Sequence, residues 1–280
     1  MNLTSNRIDL EGGLTEQPGR VLSAIKIPVK KLDVKVNGKV VKRFQAVVRE
    51  DTCEVLSIVS PAYKLVPHDE AFAGLLKGLH DSGWTFHRVS MERSGAHCYV
   101  EAMNQSINLL PDSKEKLFPR LILQNSMDLR SSLKGRFGVF RLVCTNGMTV
   151  PDLRFGQLTF RAVHVGETME GWNKFAAELE QRLKLLKQYS QKFKGMMNQA
   201  VDLETASQVL SKVVGKRQID RVVYLWEHAP HQPKPHGTAW GLYQGMTWWL
   251  THEATGGVYL RDLKGQKLLQ LLSNRVQPAK

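Results

Sequence analysis

Apolar positions along this chain follow two patterns that change near residue 168. Before it they come in short runs and alternations, the signature of strands; after it they recur every three or four residues, the signature of helices. In the first region Val34, Val36, Val40 and Val41 flank Asn37-Gly38, a pair suited to the two positive-φ positions of a type I′ turn. That predicts a hairpin whose second strand runs on through residues 44 to 48, with a third strand at 53 to 59. Residues 67 to 82 read as an inserted helix: Asp69 and Glu70 occupy its first turn, Phe72, Leu75, Leu76 and Leu79 fall on one face, and Gly83 ends it. Strands are predicted at 84 to 91 and 97 to 103 around Ser94-Gly95, then at Leu121-Ile122-Leu123, over Phe137 to Val143, and at 157 to 165. Residues 109 to 116 read as a loop.

Beyond Thr168, the residues Met169, Trp172, Phe175, Ala176, Leu179, Leu183, Leu186, Phe193 and Met197 predict an amphipathic helix of about 30 residues, about 45 Å long. Shorter helices are predicted at 203 to 214, 218 to 228, 238 to 252 and 264 to 274, with a proline- and histidine-rich link at 228 to 236. No repeat of fixed period interrupts this order. The expected fold is α+β: a curved antiparallel sheet with an inserted helix, followed by a long amphipathic helix and a helical C-terminal half. Residues 1 to 20 hold Gly12, Gly13, Pro18 and Gly19 among polar neighbours and are expected to form a flexible arm. Residues 21 to 165 would form the β-rich core and 166 to 280 a helical region packed on it.

Charge changes the picture of what the protein meets. Among 280 residues, 39 Lys and Arg face 26 Asp and Glu, for a net charge of +13 and a pI near 9.7, while 42% hydrophobic residues suffice for a packed core. A surplus of that size favours a polyanionic partner. Cys53, Cys98 and Cys144 are far apart and form no CxxC pair, which argues against a disulfide framework or a cysteine zinc site. With no apolar run of membrane-spanning length and no signal-peptide pattern near the start, a cytoplasmic protein with no membrane partner is expected.

Catalytic motifs fail one by one. Gly215-Lys216-Arg217 and Gly38-Lys39-Val40 lack the spacing of a phosphate-cradling P-loop, GxSxG is absent, and His252-Glu253 lacks the second histidine of HExxH. Asp112, Glu115 and the lysines beside them sit in an expected loop, a weak basis for a metal-dependent nuclease. His228, His231, His236 and His252 are better read as polar residues of a solvated link than as zinc ligands. The expectation is a protein that is not an enzyme and carries no cofactor or metal.

Phosphate and base binding have more support. Arg130, Lys134, Arg136 and Arg141 lie within twelve residues, followed by Arg154 and Arg161, and Phe137 and Phe140 are interleaved with them. Guanidinium forks grip phosphate oxygens bidentately and aromatic faces stack bases, the two needs of sequence-tolerant single-strand binding. Ser131 and Ser132 are candidate sugar or phosphate ligands, while Asp128 more simply stabilises a turn; both phenylalanines are better read as core. Thr145-Asn146-Gly147 is expected to reverse the chain. Lys30, Lys31, Lys35, Lys39, Lys42 and Arg43 decorate the first hairpin, which is either a positive finger for nucleic acid or an edge protected from aggregation by its lysines. The basic side of the long helix, Arg182, Lys184, Lys187, Lys192 and Lys194, reads as a solvated face. Trp240, Tyr243, Trp248 and Trp249 read as core or interface, with Lys216, Arg217 and Arg221 nearby as further phosphate contacts.

Several of these stretches carry a family resemblance. The polar segment from Asn125 to Ser132 followed by Phe140-Arg141-Leu142-Val143-Cys144-Thr145-Asn146-Gly147 is similar to the DUF932 (UPF0380) family of phage and plasmid proteins. Val59-Ser60-Pro61-Ala62-Tyr63-Lys64 with Asp69-Glu70-Ala71-Phe72 agrees, as do Thr238-Ala239-Trp240-Gly241-Leu242-Tyr243 and Thr251-His252-Glu253-Ala254. The resemblance implies a mobile-element protein of the bacterial cytoplasm and implies no activity. The residues themselves lead to the expectation of an ATP-independent protein that binds and anneals single-stranded DNA in recombination, assembled as a ring or filament of identical subunits. A sheet with a basic hairpin and a long helix is similar in outline to single-strand annealing proteins. The alternative is a non-catalytic interaction protein that binds an acidic host factor of defence or replication.

Overall fold

The computed structural model describes residues 6–8, 17–110, 116–141, 146–149, 159–162, 178–228, 237–255 and 257–275. It is an α+β fold. Among the described residues, one seven-stranded sheet joins β1 (Asn6–Ile8), β5 (Thr85–Glu92), β6 (His97–Met103), β7 (Leu117–Ser126), β8 (Leu133–Arg141) and β10 (Thr159–Ala162) in that spatial order, with β9 (Asn146–Thr149) also on β8. A second sheet is a meander of β2 (Val29–Val36), β3 (Lys39–Arg49) and β4 (Val55–Val59). The helices are α1 (Pro18–Ile25), α2 (His68–Asp81), α3 (Leu179–Asn198), α4 (Leu203–Ser211), α5 (Lys216–His228), α6 (Ala239–His252) and α7 (Val258–Ser273).

Local sequence accounts for many of these boundaries. Asn37 and Gly38 have φ of 50° and 76°, the left-handed pair that closes the β2–β3 hairpin. Phe72, Leu75, Leu76 and Leu79 line the buried side of α2, and Gly83, at φ 77°, turns the chain out of the helix while its N–H reaches the His80 carbonyl at 2.9 Å. Asp202 caps α4 by accepting from the Thr205 N–H at 2.7 Å, and Thr238 caps α6 from the Gly241 N–H at 3.1 Å.

The fold departs from expectation in three places. Asn6–Ile8 is not part of a free arm; it pairs antiparallel with Val89 to Met91, and Pro18–Ile25 is a helix that buries Val21 and Ile25. Asn146 and Gly147 do not turn the chain: they lie in β9, paired with Arg141 and Phe140 of β8, while Thr145 lies outside the described residues. α7 begins at Val258, six residues before the expected start at 264. The predicted 30-residue helix is described only from Leu179, its first part lying outside the described residues.

The chain divides into two compact units. One comprises residues 1–104, 121–136 and 159–179, the other 105–120, 137–158 and 180–280, so β7 and β8 each supply residues to both. Every residue of β6 and β7 is buried, including Glu101, Gln124, Asn125 and Ser126 of the first unit. Strands covered on both faces lose the in-out alternation of a half-exposed sheet. In the second unit α6 is the central element. Its residues from Ala239 to Thr247 are all buried, Trp240 packs 5.3 Å from Phe193 and 6.1 Å from Tyr243 between ring centroids, and α5 and α7 flank it. Gly245 allows α5 to approach, since a Cβ there would lie 3.0 Å from the Trp226 backbone nitrogen.

Candidate nucleic-acid interface

The polar segment between β7 and β8 is built inward. The Ser126 hydroxyl donates to the Ser131 carbonyl at 2.6 Å and accepts from the Ser131 N–H at 3.2 Å, pinching the loop at its base. The Gln124 side-chain amide donates to the Ser131 hydroxyl at 2.8 Å. Asn125 donates to the Val66 carbonyl at 3.0 Å and lies 3.0 Å from His68 Nδ1, while His68 Nε2 lies 2.8 Å from the Gly95 carbonyl. Because a carbonyl only accepts, the proton of this buried imidazole sits on Nε2, and Nδ1 accepts from Asn125. The loop is thus tied to the segment before α2 and to the β5–β6 turn.

Asp128 completes the frame. Its Oδ1 lies 2.7 Å from His97 Nε2 and accepts the Arg130 N–H at 3.1 Å, the Asx-turn expected from its position. Burial pushes this carboxyl up, but the hydrogen bond and charge of His97, the Arg130 amide and the Arg93 charge outweigh that and hold it below the ordinary carboxylate range. Tyr63 donates to the Ser126 carbonyl at 3.4 Å, and burial together with the Asp128 charge pushes its phenol well above the usual range, so it stays a donor at neutral pH.

Backbone strain gathers at this end of the unit. Apart from Asn37, the described non-glycine residues with positive φ are Cys53, Arg93, Ser94 and Leu129, at 59°, 54°, 55° and 62°. Their three turns are stitched together: Arg49 Nη1 donates to the Ser94 carbonyl at 2.6 Å, the Ser94 hydroxyl to Glu54 Oε1 at 2.6 Å, and the Met127 N–H to the Ala96 carbonyl at 2.8 Å. Left-handed residues without glycine's freedom cost about 1–2 kcal/mol each and persist only where surroundings fix them. The result is a rigid presentation of exposed Leu129 and Arg130. Nothing in the residue types signalled it, since none of the four favours that conformation.

The sequence-derived candidates separate into three groups. Ser132 and Arg136 are buried, and Ser131 spends its hydroxyl within the loop, so these three are not presented to solvent as phosphate ligands; β8 is covered on both faces from Gly135 to Val139. Lys134 is half-buried and stands opposite Arg161 on β10, two cations directly across one strand pair. Arg141 sits opposite Asn146, and Arg154 lies outside the described residues. Arg130 is exposed, with its Nε 3.6 Å from Asp128.

Lys39, Lys42 and Arg43 are exposed on the β2–β3 hairpin together with Lys35. They do not share one face: Lys35 pairs with Val40 and Lys39 with Val36, which places Lys35 and Lys39 on opposite sides of the tip. No described residue forms an ion pair with any of the four. At the base of the same sheet, by contrast, Lys30 is matched by Glu50 at 2.8 Å and Arg49 by Asp51 at 2.6 Å. Phe44, directly after Arg43, is 49% exposed. Among the described residues no group of three His, Cys, Asp or Glu is placed to hold a metal ion, and no helix is long and apolar enough to cross a membrane.

The family described as "Domain of unknown function (DUF932)" matches residues 55–274, most of the chain. The chain belongs to the DUF932 family. The match takes in the strained turns around Arg93 and Leu129 and the helices from α2 to α7, and it begins at Val55 on β4, after the basic hairpin. No curated protein and no solved structure matches this DUF932 chain.

Proposed function

We propose that this DUF932 protein binds nucleic acid, with single-stranded DNA as the preferred target, and that it anneals complementary strands without ATP in the recombination of a phage or plasmid in the bacterial cytoplasm. The observation that carries the reading is the hairpin: Lys35, Lys39, Lys42 and Arg43 are exposed within one short finger, unmatched by acidic neighbours and next to an exposed phenylalanine. Cations held without counter-charges attract phosphates, and an exposed aromatic face stacks a base at about 1–3 kcal/mol. Cations on both sides of the tip suit a strand that wraps the finger. Arg130, held rigidly at the other end of the unit, is a further phosphate contact in this reading.

The flexible backbone of a single strand can follow such a finger. A ring or filament of identical subunits would repeat that contact along the strand, giving affinity by multivalency that one finger lacks. The test is binding of fluorescent single- and double-stranded 40-mers across a salt series. Single-strand preference with log affinity falling at about 0.7 per phosphate contact is the expected result. Absence of binding at low salt overturns the proposal.

A further inference from the structure

The outer face of the three-stranded sheet carries exposed apolar residues on its flanking strands. Register places Leu32, Ala46 and Ile58 directly across β2, β3 and β4, and Lys30, Val48 and Val55 in the next row; Ala46 and Val48 of the central strand are themselves buried, so the exposed apolar surface lies on the flanking strands and at Phe44. Phe44 follows on the same side by alternation, two residues before Ala46. Leu32, Phe44, Val55 and Ile58 are 42%, 49%, 55% and 49% exposed, whereas the opposite face buries Val47 and Val59 against Tyr63 and Met127. A small sheet normally turns one apolar face inward and leaves the other polar; this one carries apolar residues on both.

We infer that this outer face docks an acidic, amphipathic segment of a partner protein, its aliphatic side chains on Leu32, Phe44, Val55 and Ile58 and its carboxylates on the cations of the hairpin. Charge complementarity points to the occupant. Lys35, Lys39, Lys42 and Arg43 lie at the tip end of the patch with Asp33 as the one acid between Lys30 and Arg43, so an acidic segment is drawn in while an apolar centre sets its affinity. The patch favours a peptide over bases, because three of its four exposed members, Leu32, Val55 and Ile58, are aliphatic and only Phe44 offers a stacking face. It disfavours a second copy related by a two-fold axis along the strands, which would bring like-charged tips together.

This inference does not rest on the nucleic-acid reading, and one experiment separates them. The full chain is titrated with three labelled probes: a peptide of about 15 residues alternating Asp or Glu with Leu or Phe, the same peptide with Ser at its apolar positions, and an oligo-dT strand. The amphipathic peptide is expected to bind at least about tenfold more tightly than the Ser version. Val55→Ser with Ile58→Ser is expected to abolish that difference while changing oligo-dT affinity less than about twofold, with Leu32→Ser as a second variant and a thermal melt confirming folding. Equal binding of both peptides, or a preference that survives the substitutions, overturns the inference. So does a loss of self-association in the variants without any change in peptide binding, which would assign the face to a second copy.

Discussion

His97 Nε2 and Asp128 Oδ1 lie 2.7 Å apart, with both side chains almost fully withdrawn from solvent. The pair links the start of β6 to the β7–β8 loop, and Asp128 also receives the Arg130 amide, so one carboxylate orients a neighbouring strand and the strained turn at Leu129 together. Replacing Asp128 with Ala removes the acceptor and leaves the imidazole without its partner. The expected loss is about 2–3 kcal/mol in urea unfolding. A His97→Ala, Asp128→Ala double-mutant cycle should show coupling of at least about 1 kcal/mol; additive losses would mean the contact contributes little.

The same carboxylate sets an acid dependence. Asp128 has a folded-state pKa below its unfolded value, so the unfolded chain binds the extra proton first; the stabilisation is full above the unfolded pKa of about 4 and drains away as pH falls through the lower folded value. Wild type should therefore lose stability on going from neutral pH to below 4 faster than Asp128→Asn, which has no carboxyl to protonate at that site. Parallel stability-pH curves would contradict this.

Gly245 is where α5 and α6 touch backbone to backbone. Gly245→Ala would place a methyl 3.0 Å from Trp226 N and 3.2 Å from its Cα, and a backbone cannot yield as a side-chain tip does. Despite alanine's better helix propensity, the expected outcome is destabilisation by about 1–3 kcal/mol. A melting temperature equal to or above wild type would show that the helices separate freely.

Self-association should follow concentration and ligand. Light scattering of the full chain, alone and with a single-stranded 40-mer, is expected to show assemblies larger than one subunit that grow with the oligonucleotide. A monodisperse monomer at high concentration under both conditions would count against annealing by rings or filaments.

Much of the architecture was legible because local chemistry and global fold agree. The Asn37-Gly38 turn, the apolar face of α2 and the three- to four-residue spacing of the C-terminal helices each encode their element directly. Trp240 and Tyr243 proved to be core, as their helical spacing suggested. The candidate site was less legible. Alternation distinguishes core from surface only where one face meets water, and β7 and the stretch of β8 from Gly135 to Val139 are covered on both, so Arg136, like Ser132 just before β8, looks like a surface ligand in sequence and is buried in the fold. The strained turns at Cys53, Arg93, Ser94 and Leu129 were invisible because contacts between distant segments impose them. Asn6–Ile8 was misread for a related reason: three polar-flanked residues acquire strand character only from the edge of β5.

The measurement that tests the account most directly compares wild type with a variant carrying Lys35→Ser, Lys39→Ser, Lys42→Ser and Arg43→Ser in single-stranded 40-mer binding across a salt series. Each lost phosphate contact should lower the slope of log affinity against log salt by about 0.7, so the variant should bind far more weakly and with a slope flatter by nearly 3. A variant that keeps the wild-type affinity and slope would show that the exposed finger does not hold the strand.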